Sequence, residues 1–308
     1  MNGNQYNNDY QQPNNETSGV PMPTQSNPFG QQSGGSMNGY NSPSATPKKS
    51  NKGLIIGAVV AIVSIVVAAA VAVIVFMVMG ISKKDYQEAI DNGNKLYKTV
   101  ESGSDDIASL ESKVTASGDN SATYKELADK MSKLLSELDS DLDNLSDDKA
   151  IQKDEEAKAK YDKLAKSYKD YKSYMNDVRT VYLALADANN DIVKARELSN
   201  NASSMDEIQQ MIDYANSAST KMGAVKVKDS TATEALKSVS EGYSLLAKAG
   251  ELAMQGDSSY YTSITLANSK LLGYQTKWSS FMMKGSKNGS AMEDAYNALG
   301  KYLTSKVK

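Results

Sequence analysis

The chain has 308 residues with neither cysteine nor histidine, which excludes a disulfide framework, the usual zinc ligand sets and any nucleophile activated by a histidine base. Its net charge of −3 divides into +1 for residues 1–80, from Lys48, Lys49 and Lys52 against Asp9 and Glu16, and −4 for residues 81–308. Neither part carries the clustered positive charge that nucleic-acid binding requires, so no nucleic-acid partner is expected.

Residues 1–52 form a tail dominated by Asn, Gln, Gly, Ser and Pro, and all six prolines lie in it. Such a segment buries too little apolar surface to offset the entropy of ordering and is expected to stay disordered. It reads as a solvated spacer, with Tyr6, Tyr10 and Tyr40 as the residues through which it would otherwise self-associate or recruit a partner.

From Leu54 to Met79 the chain is apolar apart from Ser64. A helix of that length reaches ~39 Å against a hydrocarbon core of ~30 Å, so residues 53–80 are predicted to be a transmembrane helix in contact with the lipid bilayer. The run is longer than the ~7–15 apolar residues of a signal peptide and ends in Val78-Met79-Gly80 without a small-x-small cleavage pattern, so it reads as an uncleaved anchor. Gly53, Gly57, Ala61, Ser64, Ala68 and Ala72 recur at intervals of three or four and mark a small-residue stripe through which two anchors could pair as a weak homodimer. Charges flanking the run are nearly balanced, and the preferred orientation puts the N-terminus in the cytoplasm and the C-terminal domain outside.

Residues 81–308 contain no proline and should be all-α. Tyr86, Ile90, Tyr97 and Val100 begin a helix expected to be continuous, or nearly so, with the anchor, with Ile107, Leu110 and Val114 extending it to Gly118. Tyr124, Leu127, Met131, Leu134, Leu138, Leu142 and Leu145 form a second apolar stripe that loses phase at Ser146-Asp147-Asp148. Ala157, Tyr161, Leu164, Tyr168, Tyr171, Met175, Val178, Tyr182 and Leu185 hold a 4-3 alternation that favours coiled-coil-like packing, and Asn200-Asn201 signals its stop. This seam should be buried within one chain, because the other helices offer similar stripes to cover it.

Ser204 and Glu207 read as a capping box, Thr231 opens a helix that Gly256 ends, and Asp257 caps the next, with its seam from Tyr260 to Phe281. Ser290 and Glu293 read as a second capping box that starts a last short helix. The expected architecture is an elongated up-and-down bundle, divided into two sub-bundles near residue 202.

Fifteen of the eighteen tyrosines follow the anchor, most at seam positions where the ring packs and the hydroxyl seeks a partner. Tyr174 and Tyr261 fall just off their seams and are the candidates for surface contact; Trp278 reads as a core anchor. Acidic clusters at Asp139, Asp141 and Asp143 and at Asp154, Glu155 and Glu156, and the polar run Asn189-Asn190-Asp191, lack the glycine-turned spacing of a calcium loop and read as solvated helix faces. No metal, cofactor or catalytic residue is assigned.

A disordered tail, Pro47-Lys48-Lys49 leading into Gly53 to Gly80, and a cysteine-free acidic domain resemble uncharacterised single-pass envelope proteins of Gram-positive-type bacteria. The resemblance covers architecture and implies a cell-membrane location without a reaction. The functional expectation is a membrane-anchored, non-enzymatic protein whose helical domain binds or spaces a protein or cell-wall partner. The alternatives are a sensor that relays ligand binding through the anchor to a cytoplasmic partner, and a cryptic enzyme using carboxylates or a Ser/Lys pair.

Overall fold

The computed structural model describes residues 80–115 and 118–308, which form seven α-helices and no strand. These are α1 (Lys83–Glu111), α2 (Ser121–Asp147), α3 (Lys149–Lys153), α4 (Glu155–Asn201), α5 (Met205–Ala224), α6 (Ser230–Met254) and α7 (Tyr260–Val307). The tail and the proposed anchor stripe of Gly53, Gly57, Ala61, Ser64, Ala68 and Ala72 lie outside the described residues. No described helix is long and apolar enough to cross a membrane.

Capping explains most boundaries. Ser82 and Asp85 form a capping box at the start of α1, and the residue before Ile81, Gly80, has φ of +63°. The helix α1 therefore begins at Lys83. Ser82-x-x-Asp85 is a helix-start signal that the apolar periodicity overshadowed, and the proposed anchor itself lies outside the described residues.

At the other end of α1, Asn120 folds the turn into α2: its amide accepts from the Thr115 N–H and donates to the carbonyls of Thr115 and Gly118. Asp154 caps α4 by accepting from the backbone of Glu156 and Ala157. Ser204 and Glu207 form the capping box expected for α5.

The helices α4 and α7, of 47 and 48 residues, are each ~70 Å long and run the length of the body. Toward the start of α4 and the end of α7 these helices pack with α1 and α2 into one four-helix bundle, proximal because it holds Lys83, and toward their other ends they pack with α5 and α6 into a second, distal one. Across the proximal bundle the Tyr168 hydroxyl donates to the Leu135 carbonyl, and Tyr97 stacks on Tyr296 with ring centroids 6.1 Å apart. Across the distal bundle Ser217 donates to Asp191, and the Ser219 hydroxyl donates to the Ser240 carbonyl. The α4 seam is buried within the chain, with Leu164, Tyr171, Met175, Val178 and Leu185 all in the core.

Ala202 lies in the turn from α4 to α5, so the bundles do not meet there. They share α4 and α7, and the change from one to the other falls midway along both. Likewise α7 passes through Ser290 and Glu293 without interruption. Just before that expected capping box the helix is continuous, with Gly285 and Gly289 buried, and Gly285 lets α7 approach α4.

The approach at Gly285 is tight. A Cβ added there would lie 2.0 Å from Cζ of Tyr174. Gly→Ala inside a helix ordinarily stabilises by about 0.5–1 kcal/mol; here the Gly285→Ala variant is expected to lose about 1–3 kcal/mol through overpacking. Urea denaturation should show that loss in the native background and its disappearance when Tyr174 is also replaced by Ala, a coupling that independent sites would not give.

Candidate functional site

Midway along the body, where α7 leaves α6 and meets the proximal bundle, lies an open cleft of about 410 Å³. Its floor is aromatic, from Tyr174 on α4 and Phe281 on α7, whose ring centroids are 4.9 Å apart. Its rim carries Lys228 from the α5–α6 turn and Lys284 and Lys287 from α7.

The turn that forms one wall is fixed by Asp177. This buried carboxylate accepts from the backbone N–H groups of Lys228 and Asp229, both at 2.9 Å. Asp229 in turn caps α6 through Thr231 and Ala232 and accepts from Lys284 at 3.0 Å. Burial alone would raise the Asp229 carboxyl, but the hydrogen bonds from Lys284 and from the start of α6 outweigh it and hold the group below its usual range.

Two of the three rim lysines differ from Lys284. Lys228 and Lys287 are exposed and make no ion pair among the described residues. Asp177 and Asp229 are already occupied by backbone donors or Lys284, which leaves Asp170 on the rim as the nearest free carboxylate. An anionic group entering the cleft could therefore meet two ammonium groups without displacing a structural bond, while an apolar portion rested on the aromatic floor.

Behind the floor lies a layer of buried tyrosines with one carboxylate. The Tyr182 hydroxyl donates to Glu111 at 2.8 Å, and its ring stacks on Tyr124 at 5.9 Å. The second carboxylate oxygen of Glu111 and the hydroxyl of Tyr171 are buried without a hydrogen-bond partner. Burial pushes Glu111 up to about 7, against the smaller opposing effect of the Tyr182 hydrogen bond, and burial together with Glu111 raises the Tyr182 phenol well above its usual value.

The surface candidates divide. Tyr261 is 48% exposed and packs its ring on Tyr260. Tyr174 is a correction: it is buried, with its ring over Gly285 and its hydroxyl donating to Met282 Sδ at 3.2 Å. It lies off the 4-3 seam because α4 is covered on more than one side, so its buried arc is wider than one stripe.

Trp278 is half-buried between Tyr274 and Phe281. The acidic clusters serve the fold: Asp139 binds Lys172 and Tyr168, Asp141 binds Lys95 and Thr99, and Asp154 binds the hydroxyls of Tyr86 and Tyr302. Asn189 reaches Asp119, and Asp191 accepts from Ser217 and Lys221. Among the described residues no group of three acids is placed to hold a metal ion.

Sequence reasoning missed the cleft because its walls come from residues more than fifty positions apart. Asp177 is satisfied by backbone amides, which leave no mark in a sequence. Compared with protein-family models, curated proteins and solved structures, the chain matches none.

Glu111 has a measurable consequence. Its folded pKa exceeds its ordinary value of 4.5, so its contribution to stability is fully present below pH 4.5 and is lost as pH rises through about 7. The penalty for holding it charged is on the order of 3 kcal/mol. Thermal unfolding of the native chain should therefore weaken between pH 5 and pH 8 relative to Glu111→Gln, whose amide stays neutral. Parallel pH profiles for the two proteins would show that Glu111 is solvated in the folded state.

Proposed function

We propose that this chain is a membrane-tethered, non-enzymatic envelope protein whose helical body stands off from the bilayer and binds an anionic partner on its outer side. The observation that carries the reading is the placement of the two ends. Lys83 donates to the carbonyls of Val307 and Lys308, and Asp154 joins Tyr86 near the start of α1 to Tyr302 near the end of α7. The end of the body nearest the apolar run Leu54 to Met79 is thus tied together, and the rest extends ~70 Å from it along α4 and α7.

The cleft lies midway along that length, and Lys228 and Lys287 give it the means to hold an anionic group. The partner class is a protein or cell-wall polymer that carries such groups. The left-handed Gly80 and the capping box at Ser82 favour a tether over a signal relay, because a helix that restarts at Lys83 transmits rotation or piston motion poorly.

Topology tests the reading most directly. Protease added to intact protoplasts is expected to digest residues beyond 81 and to spare the N-terminal tail. Protection of the helical body, with digestion only after lysis, would overturn an outward-facing binder and make the body cytoplasmic.

A further inference from the structure

We propose that the outer face of α7 is a contact surface for a second copy of this chain, paired side by side in the same membrane. Among the described residues six large hydrophobic side chains are markedly exposed, and four of them, Tyr261, Leu266, Leu272 and Met283, lie on α7. Tyr261, Leu272 and Met283 recur at eleven-residue intervals, which on a helix is ~3.67 residues per turn and brings them onto one nearly straight line. That line is ~33 Å long at the helical rise.

The same stretch is almost without charge. Between Ser258 and Met283 the charged residues are Lys270 and Lys277, and both turn toward α6, where Lys270 pairs with Glu241 and Lys277 binds Ser238. The other exposed positions between Tyr261 and Met283 are Thr262, Thr265, Leu266, Ser269, Thr276 and Ser279, together with Lys270, whose ammonium is drawn to Glu241. Elsewhere the helices carry charge on their solvent faces, as at Lys133 and Glu137 or Lys158 and Asp162.

Charge decides the occupant. Two copies tethered at the same end stand parallel, and a two-fold axis along the body sets each residue of the face opposite itself. Any lysine or carboxylate there would meet its own like charge, which disfavours pairing, whereas Tyr, Leu, Met, Ser and Thr meet themselves without penalty. A body of net charge −4 could approach its own copy most easily along an uncharged strip. A charged partner would instead leave complementary charges along the strip, and between Tyr261 and Met283 the only charges are Lys270 and Lys277, both turned to α6; the next charge on the face, Lys287, lies beyond its end.

The strip also limits the strength of the contact. One helix face ~33 Å long and ~10 Å wide offers ~330 Å² per copy, well under the ~800 Å² per partner of a stable soluble complex. The pairing therefore depends on confinement of both copies to one membrane, which raises their effective concentration. In that respect it rests on the tethered reading.

The absence of native cysteine makes the test direct in the full-length chain in its membrane. Single variants Tyr261→Cys, Leu272→Cys and Met283→Cys should each form a disulfide-linked dimer under mild oxidation, several-fold above Lys237→Cys on the exposed side of α6. Adding Leu272→Glu to the Met283→Cys chain should return cross-linking to the Lys237→Cys level while helical circular dichroism stays unchanged.

Cross-links no stronger than the α6 control, or ones that survive Leu272→Glu, would overturn the proposal; the second result would assign any association to another part of the chain. Mixed Tyr261→Cys and Met283→Cys copies that join to each other, but not to themselves, would show antiparallel pairing and overturn it equally. Alkaline extraction of the same membranes reports the tether separately: a chain that washes off fails the tethered reading, while a retained chain without self-cross-links fails only the pairing.

Discussion

The close passage of α7 over α4 at Gly285 is the constraint on which the rest of the body depends. Two helices of nearly fifty residues can belong to both bundles only if they stay in contact where their other neighbours change. At that level Tyr174 presses its ring into the space that Gly285 leaves, and Phe281 closes over it. A larger residue at 285 would hold the two helices apart at the one level where the α1–α2 pair and the α5–α6 pair give way to each other. The cleft is a product of the same hand-over, since α6 begins at Ser230 and leaves the groove beside Tyr174 uncovered.

A core this rich in tyrosine must place hydroxyls as well as rings, because a buried hydroxyl without a partner is costly. Toward the proximal end the solution is complete: Tyr161 and Tyr168 donate to carbonyls of α2, and Tyr86 and Tyr302 share Asp154. Near the hand-over it is not. The hydroxyl of Tyr171 and one oxygen of Glu111 are buried unpartnered, and Tyr174 has only a thioether to donate to. Polar satisfaction is therefore poorest where the helix partners change, and that is the level at which protonation of Glu111 can alter stability near neutral pH.

Much of the fold was legible because helices announce themselves locally. The stripe from Tyr124 to Leu145, the stop at Asn200-Asn201 and the capping box at Ser204 and Glu207 are each written within a few residues, and each stands where expected. The misreadings share a different cause. Ser290 and Glu293 look like a helix start because their spacing fits a capping box, yet contact with α4 at Gly285 holds this part of α7 in place and the helix continues through them. Tyr174 looks exposed because a single seam was counted on a helix that is buried over a wider arc. The cleft was not legible at all: Asp177, Lys228 and Lys287 have unremarkable neighbours in sequence and acquire meaning only when α4, the α5–α6 turn and α7 converge.

Surface ion pairs contribute little to this architecture. Most pair partly exposed side chains, where solvent and salt leave at most about 1 kcal/mol per pair. What makes the body act as a unit is the continuity of α4 and α7, because bending it midway would break the hydrogen-bond ladders of both helices and expose the tyrosine layer between them. The Asp154 knot then ties three helices together at one end of the body. Strain entering through Ile81 passes to Tyr86 and Asp154, and from there into the start of α4 and the end of α7 together. A body loaded through both of its long helices at once moves as a rod, the mechanical property that the proposed stand-off binder would need.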